Sequence, residues 1–122
     1  MFVGSGGIQM GYQNSSTWGL CQANVAWQTT TTTLPTTNAW NHMAITRSGT
    51  TVGLFLNGNR VASGTISTSY SQNTCVIGQG VVGYLSNTRM VKGTAVYNPS
   101  NTTYTVPTSP LTNISGTSLL TF

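Results

Sequence analysis

One short segment near the middle of the chain constrains the fold more than any other. Two strand-like runs, residues 51–56 and 60–65, flank the tripeptide Asn57-Gly58-Asn59. Asn and Gly both tolerate positive φ, and an Asn-Gly pair between two such runs is a strong signal for a tight hairpin. The sequence therefore predicts an antiparallel β-hairpin at this point.

Composition extends this prediction to the rest of the chain. Half of the 122 residues are Thr, Ser, Gly or Asn, and the three Trp, five Tyr and three Phe are spread along the sequence. Threonine, β-branched aliphatic and aromatic residues suit a pleated sheet, whereas disordered chains have few aromatics. Short strand-like runs without helical periodicity favour a single all-β domain over residues 1–122, an antiparallel β-sandwich.

The remaining strands are predicted from short apolar or alternating runs between turn residues. They cover residues 1–12, 18–21, 25–27, 29–33, 41–47, 75–78, 84–91 and 119–122, with a turn at 22–24. Within 41–47, alternation places His42, Ala44 and Thr46 on one face and Met43 and Ile45 on the other.

Three further local features are predicted. Prolines and threonines in 98–110 indicate an ordered loop that wraps the surface, and one short helical turn is expected near 93–97. Gly53, Gly64 and Gly78 are expected at turns, bulges or close contacts between strands.

The chain has no Asp and no Glu, which bears on function more than any motif. Glycoside hydrolysis normally uses two carboxyl groups, calcium and magnesium sites are usually built from carboxylate oxygens, and a Ser-His-Asp triad needs its acid. The prediction is therefore that the protein is not an enzyme and has no metal and no cofactor.

Positive charge is sparse as well. The four cationic residues, Arg47, Arg60, Arg89 and Lys92, give a net charge of +4 but are spread along the chain. Nucleic-acid binders show clustered Lys and Arg, so dedicated nucleic-acid binding is not expected. No apolar run is long enough to span a bilayer, which predicts no membrane insertion. A weak, salt-sensitive attraction to acidic surfaces is expected instead.

Two cysteines and one histidine are the candidate reactive side chains. Cys21 and Cys75 lack the spacing of a zinc site, and the sequence leaves open whether they are free buried thiols or one disulfide. His42 has no carboxylate to orient it, so we expect a structural strand histidine that packs beside Trp40 or forms a hydrogen bond.

A few aromatic and basic residues are candidate contacts for a glycan or a protein partner. Trp18 and Trp27 fit a sugar-stacking surface and the sandwich core equally well, whereas Trp40 is expected mainly in the core. Arg89 and Lys92 are candidates for contact with a partner, and the alternative is a solvated strand edge, where Lys discourages unwanted pairing.

Three segments together resemble a known fold family. They are residues 38–47 (NAWNHMAITR), 54–61 (LFLNGNRV) and 83–97 (GYLSNTRMVKGTAVY), and the similarity covers residues 38–122. They resemble the concanavalin A-like, laminin-G-type jelly roll, in the form common in bacteriophage virion proteins and bacterial surface proteins. The family's calcium sites use acidic side chains, which this chain lacks, so a metal-dependent lectin mechanism is not expected.

The resemblance implies a structural or binding role. The preferred expectation is a subunit of a bacteriophage particle, either a capsid decoration protein or a small tail-associated protein, located in the virion. Its partners would be other virion proteins or copies of itself, and a neighbour would complete sheets that lack N-terminal strands. The alternative is a carbohydrate-binding adhesion module on a tail fibre or a bacterial cell surface, with a host surface glycan as ligand.

Overall fold

The computed structural model describes residues 7–22, 26–70 and 77–122, and every regular element within these ranges is a β-strand. All strand pairs are antiparallel, so the predicted all-β class is confirmed. The first sheet contains β1 (Ile8–Asn14), β2 (Thr17–Gln22) and β3 (Ala26–Thr31), the second contains β4 (Met43–Ser48), β5 (Thr51–Leu56) and β6 (Asn59–Thr65), and a separate pair contains β7 (Thr88–Val91) and β8 (Thr117–Thr121).

Two tight turns organise the second sheet. Asn57 (φ 50°) and Gly58 (φ 83°) join β5 to β6, which confirms the predicted hairpin. At the other end of β5, Ser48 pairs with Thr51 across a turn that contains Gly49 (φ 57°). Positive φ at these positions matches the turn to the twist of the strands. Short connections of this kind fix the register of β4, β5 and β6.

The hydrophobic core lies between the first and second sheets. Trp18 of β2 packs against Leu54 and Leu56 of β5, and Leu20 packs against Val52. These are alternate residues of each strand, as a half-buried sheet requires. The antiparallel β-sandwich is therefore confirmed.

Strand β4 shows the alternation predicted from the sequence. Met43 and Ile45 pack against the core, whereas the hydroxyl of Thr46 is buried on the opposite face and donates to the carbonyl of Tyr97. The second sheet therefore has a buried surface on its outer side as well.

A loop covers that outer side. Pro99 is fully buried beside Gly53, and the ring of Tyr104 lies edge-on to Phe55 with 5.2 Å between ring centroids. The guanidinium of Arg60 donates to the carbonyl of Pro99 at 3.0 Å. Residues 98–110 contain no strand, so the predicted loop across the surface is confirmed, and β5 is buried on both faces.

Two predicted elements after residue 83 are wrong. The strand expected over 84–91 begins only at Thr88, because Asn87 has a left-handed backbone (φ 52°) that breaks the extended chain. No helical turn forms over 93–97. Gly93, at φ 87°, interrupts the helical dihedrals there.

Other predicted bounds shift or cannot be compared. The first strand starts at Ile8 and continues to Asn14, and the runs 25–27 and 29–33 merge into one strand, Ala26–Thr31. Gly78 lies at a bend with φ 82° rather than in a strand. The predictions for residues 1–6, for Ala23 and Asn24 of the predicted turn, for Val25 of the predicted strand 25–27, and for Cys75 and Val76 lie outside the described residues.

We predict that Gly53→Ala destabilises the protein by about 1–3 kcal/mol, the usual effect of overpacking a filled interior. A Cβ at Gly53 would meet the Phe55 ring at 2.7 Å and the Pro99 carbonyl oxygen at 3.0 Å. Gly11→Ala is the matched control, since its Cβ would meet only the Gln9 side chain at 3.5 Å. Urea unfolding followed by tryptophan fluorescence measures both, and equal losses of stability would contradict close packing at Gly53.

Candidate functional site

A groove of about 400 Å³ opens at the β5–β6 turn of the second sheet. Its lining comes from the segment before β4, from the turn itself, from residues 86–87 before β7 and from residues 106–111 after it. The lining residues carry no formal charge when the histidine is neutral. They are Trp40, Asn41, His42, Asn57, Ser86, Asn87, Val106, Pro107, Ser109 and Leu111.

Trp40 is the large aromatic side chain of the groove. It is 72% exposed, so the expectation that it fills the core is wrong. Trp40 precedes the first residue of β4 and follows a left-handed turn at Asn38 (φ 56°), so strand alternation does not direct it inward. The core between the sheets is instead built around Trp18, Leu54 and Leu56.

An amide network fixes the segment that carries Trp40. The side-chain Nδ2 of Asn41 donates to the carbonyls of Thr36 (2.8 Å) and Ala39 (2.9 Å), and its Oδ1 accepts from the Thr36 amide (3.0 Å). The Asn57 side chain donates to Asn41 Oδ1 at 3.2 Å and accepts from the His42 amide at 2.8 Å. The turn and the Trp40 segment therefore form one preorganised wall.

His42 lies at the base of this wall and is already paired. Its Nδ1 lies 2.5 Å from the Tyr104 hydroxyl, and its ring is edge-on to Tyr97. Burial lowers the pKa of His42 below its ordinary value, while burial and the adjacent Tyr97 raise the pKa of Tyr104. His42 and Tyr104 therefore share one hydrogen bond, which is the structural role expected of this histidine, although His42 lies just before β4 rather than within a strand.

Asn87 holds together the part of the groove lining on either side of β7. Its left-handed backbone turns the chain into β7, and its Oδ1 accepts from the amide of Leu111 at 3.3 Å. Just beyond, the guanidinium of Arg89 donates to the carbonyl of Thr112 at 2.9 Å. These two contacts tie the segments on either side of β7 together and place Ser86 and Ser109 along the groove.

The candidate contact residues from the sequence occupy different environments. Trp18 is fully buried and its indole N–H donates to the Thr33 carbonyl at 2.7 Å. Trp18 is buried because it lies on the side of β2 that faces the second sheet. It therefore cannot stack on a ligand, and its prediction as a contact residue is wrong. Trp27 is half-buried in β3 opposite Cys21. Lys92 is exposed, and neither it nor Arg89 lines the groove.

The described residues contain one cysteine and no metal-binding cluster. Cys21 is a free, buried thiol, and burial raises its pKa, whereas Cys75 lies outside the described residues. Over residues 7–22, 26–70 and 77–122, no group of three or more His, Cys, Asp or Glu side chains is placed to hold a metal ion.

No membrane-crossing helix is found in the part of the chain that the structure describes.

Sequence reasoning missed most of the groove. The sequence predicts Asn57 as a turn residue, but its side-chain partners, Asn41 and the His42 amide, lie 15 or more residues away in sequence. Ser86 and Asn87 fell inside a predicted strand. The available signal in the sequence is Asn at positions 38, 57 and 87, since Asn adopts positive φ more readily than other non-glycine residues.

Comparison with known proteins identifies the family. A family model for the concanavalin A-like lectin/glucanase superfamily, of laminin-G type, matches residues 1–107. The chain therefore belongs to this superfamily, and the resemblance seen in the sequence is confirmed at that level. Neither a curated protein nor a solved structure matches the chain. Membership is compatible with a carbohydrate-binding module.

We predict that His42 makes the fold less stable as pH falls from 7 through and below about 6.5, the ordinary pKa of histidine. The folded state resists protonation because burial lowers the pKa of His42, while the unfolded state takes up the proton freely. Stability is therefore complete above the unfolded pKa and is lost as pH falls towards the folded pKa. No Asp or Glu titrates in this range, because the chain has none.

Thermal melts at a series of pH values test this expectation in the wild type and in His42→Gln. The variant should show a flat melting temperature over the interval in which the wild type declines. A wild-type melting temperature that does not change with pH, or an equal decline in the variant, would contradict it.

Proposed function

We propose that the protein is a non-enzymatic carbohydrate-binding module that holds a glycan in the groove beside Trp40 without a bound metal ion. The observation that carries the proposal is a 72% exposed indole set beside side-chain amides that are already fixed by hydrogen bonds. Family membership is compatible with this ligand class.

The chemistry of the groove suits a sugar ring. The C–H faces of a pyranose are apolar and pack on an aromatic face, while its hydroxyls need donors and acceptors at the edge. Trp40 offers the face, and Asn57, Ser86 and Ser109 offer polar groups along the same groove. Because the network around Asn41 already orders the wall, binding immobilises few further side chains, and this favours affinity.

The same residues support binding rather than hydrolysis. Glycosidases act with a pair of carboxyl groups, one as acid and one as base or nucleophile, and this chain contains no Asp or Glu side chain. His42, the one histidine, is paired with the Tyr104 hydroxyl. The bound glycan is therefore expected to leave the groove unchanged.

We predict that Trp40→Ala weakens glycan binding at least about tenfold, since truncating an aromatic anchor at the centre of an interface usually exceeds 1.4 kcal/mol. Trp40→Phe should retain part of the affinity because a smaller ring still stacks. A glycan array scored in the presence of EDTA identifies the ligand, and isothermal titration calorimetry then measures each variant.

Two controls separate Trp40 from other exposed aromatics. Phe122→Ala removes a 77% exposed ring that does not line the groove and should leave affinity unchanged. Trp27→Ala tests whether the tryptophan that the sequence suggests as a glycan contact contributes to binding. Unchanged binding by Trp40→Ala, loss of binding on chelation, or glycan hydrolysis by the purified protein would each overturn the proposal.

A second candidate function is a structural subunit of a bacteriophage particle, either for capsid decoration or associated with the tail. The observation that favours it is the segment 83–97, which resembles phage virion proteins. The side chain of Val82, just before this segment, and that of Tyr84, within it, are both exposed. Arg89 donates to a loop carbonyl, so Lys92 remains the exposed cation of this segment. Partners would be other virion proteins or copies of itself.

Copy number in purified particles distinguishes the two functions. We expect a decoration protein in hundreds of copies at capsid lattice positions and a tail-associated protein in a few copies, as measured by quantitative mass spectrometry and cryo-electron microscopy. If the protein occurs on a cell envelope and in no particle, the virion role is ruled out and a surface adhesion module remains.

A further inference from the structure

An exposed apolar segment runs directly into the groove. Val82 is fully exposed and Tyr84 is 88% exposed, and more than half of the surface of Val81 and Leu85 is exposed as well. The next two residues along the chain, Ser86 and Asn87, line the groove. Contiguous exposed apolar side chains on a folded domain mark interaction sites, and this segment adjoins the candidate site in the groove.

The segment is held at its base and is within reach of the groove. The Leu85 side chain lies against Gly78, where an added Cβ would meet Leu85 Cδ1 at 2.9 Å. Residues 84–87 contain no hydrogen-bonded turn, and two residues of chain span at most about 7 Å. The Tyr84 backbone therefore lies within about 7 Å of Ser86, a residue that lines the groove, and its exposed side chain is within reach of a ligand that extends past Ser86.

Electrostatics narrows the class of ligand. Neither the groove lining nor residues 81–85 contain a charged side chain. The guanidiniums of Arg47, Arg60 and Arg89 each donate to main-chain carbonyls of loops. A carboxylated or sulfated glycan would find no cation among the residues that line the groove, and its charged groups would lose hydration without compensation.

From these observations we propose that Tyr84 is a second stacking platform and that the ligand is an uncharged oligosaccharide, an internal stretch of a neutral polysaccharide, that extends from Trp40 to Tyr84. The inference rests on the proposed function, and it adds a subsite, a chain-length requirement and a charge preference. It also gives the exposed segment 81–85 an occupant, namely the sugar residues that extend beyond the groove.

Oligosaccharide ladders of increasing length test the inference. The probes are gluco-, manno-, galacto- and xylo-oligosaccharides, with oligogalacturonates as the charged series, titrated by calorimetry into the wild type, Tyr84→Ala, and the control Phe122→Ala. We expect wild-type affinity for one neutral series to rise at least about tenfold from the shortest to the longest members, the size of effect expected of a second aromatic anchor. Tyr84→Ala should abolish that gain and leave the shortest binding members unaffected.

The outcomes separate this inference from the proposed function. If short neutral sugars bind through Trp40 but affinity does not grow with length, or Tyr84→Ala binds every length as the wild type does, the second platform is wrong while the proposed function stands. Tighter binding of oligogalacturonates that weakens with added salt overturns the charge preference. If no ladder binds, the proposed function and this inference fall together. Because Tyr84 is exposed, an unchanged melting temperature confirms that the variant is folded.

Discussion

The burial of β5 on both of its faces is the constraint on which the rest of this structure depends. One face places Val52, Leu54 and Leu56 against the first sheet. The other receives a loop, with Pro99 on Gly53 and Tyr104 on Phe55. A central strand covered twice holds three layers together in a small domain. The loop that supplies the outer layer also positions Tyr104 under His42, so the base of the groove depends on this packing.

Because the chain has no Asp or Glu, its arginines form no ion pairs with acidic side chains. Here the arginines replace ion pairs with charge-assisted hydrogen bonds to main-chain carbonyls, which are stronger than neutral ones. Arg47 donates to the carbonyls of Gly49 and Thr68, both at 2.8 Å, and Arg60 holds the outer loop in the same manner. These hydrogen bonds anchor loops to the second sheet, and none of the arginines lines the groove.

Asparagine links the architecture of the groove to its chemistry. Asn38, Asn57 and Asn87 all adopt left-handed φ values, a conformation that Asn tolerates better than other residues with a side chain. The turn at Asn38 brings Trp40 to the surface, and the other two line the groove. Asparagines that suit the turn geometry therefore also supply amides that order the lining of the groove.

Local sequence determined the all-β class, the hairpin at Asn57 and the two faces of β4, because turn dihedrals and strand alternation depend on residues adjacent along the chain. Tertiary structure decided which tryptophan is buried and which is exposed: Trp18 packs on β5, while Trp40, just outside β4, does not. It also decided the break at Asn87, whose partner is Leu111, and the groove itself. Whether a side chain is buried, and which segments meet at the groove, depend on contacts between residues far apart in sequence. A local sequence pattern does not determine these contacts.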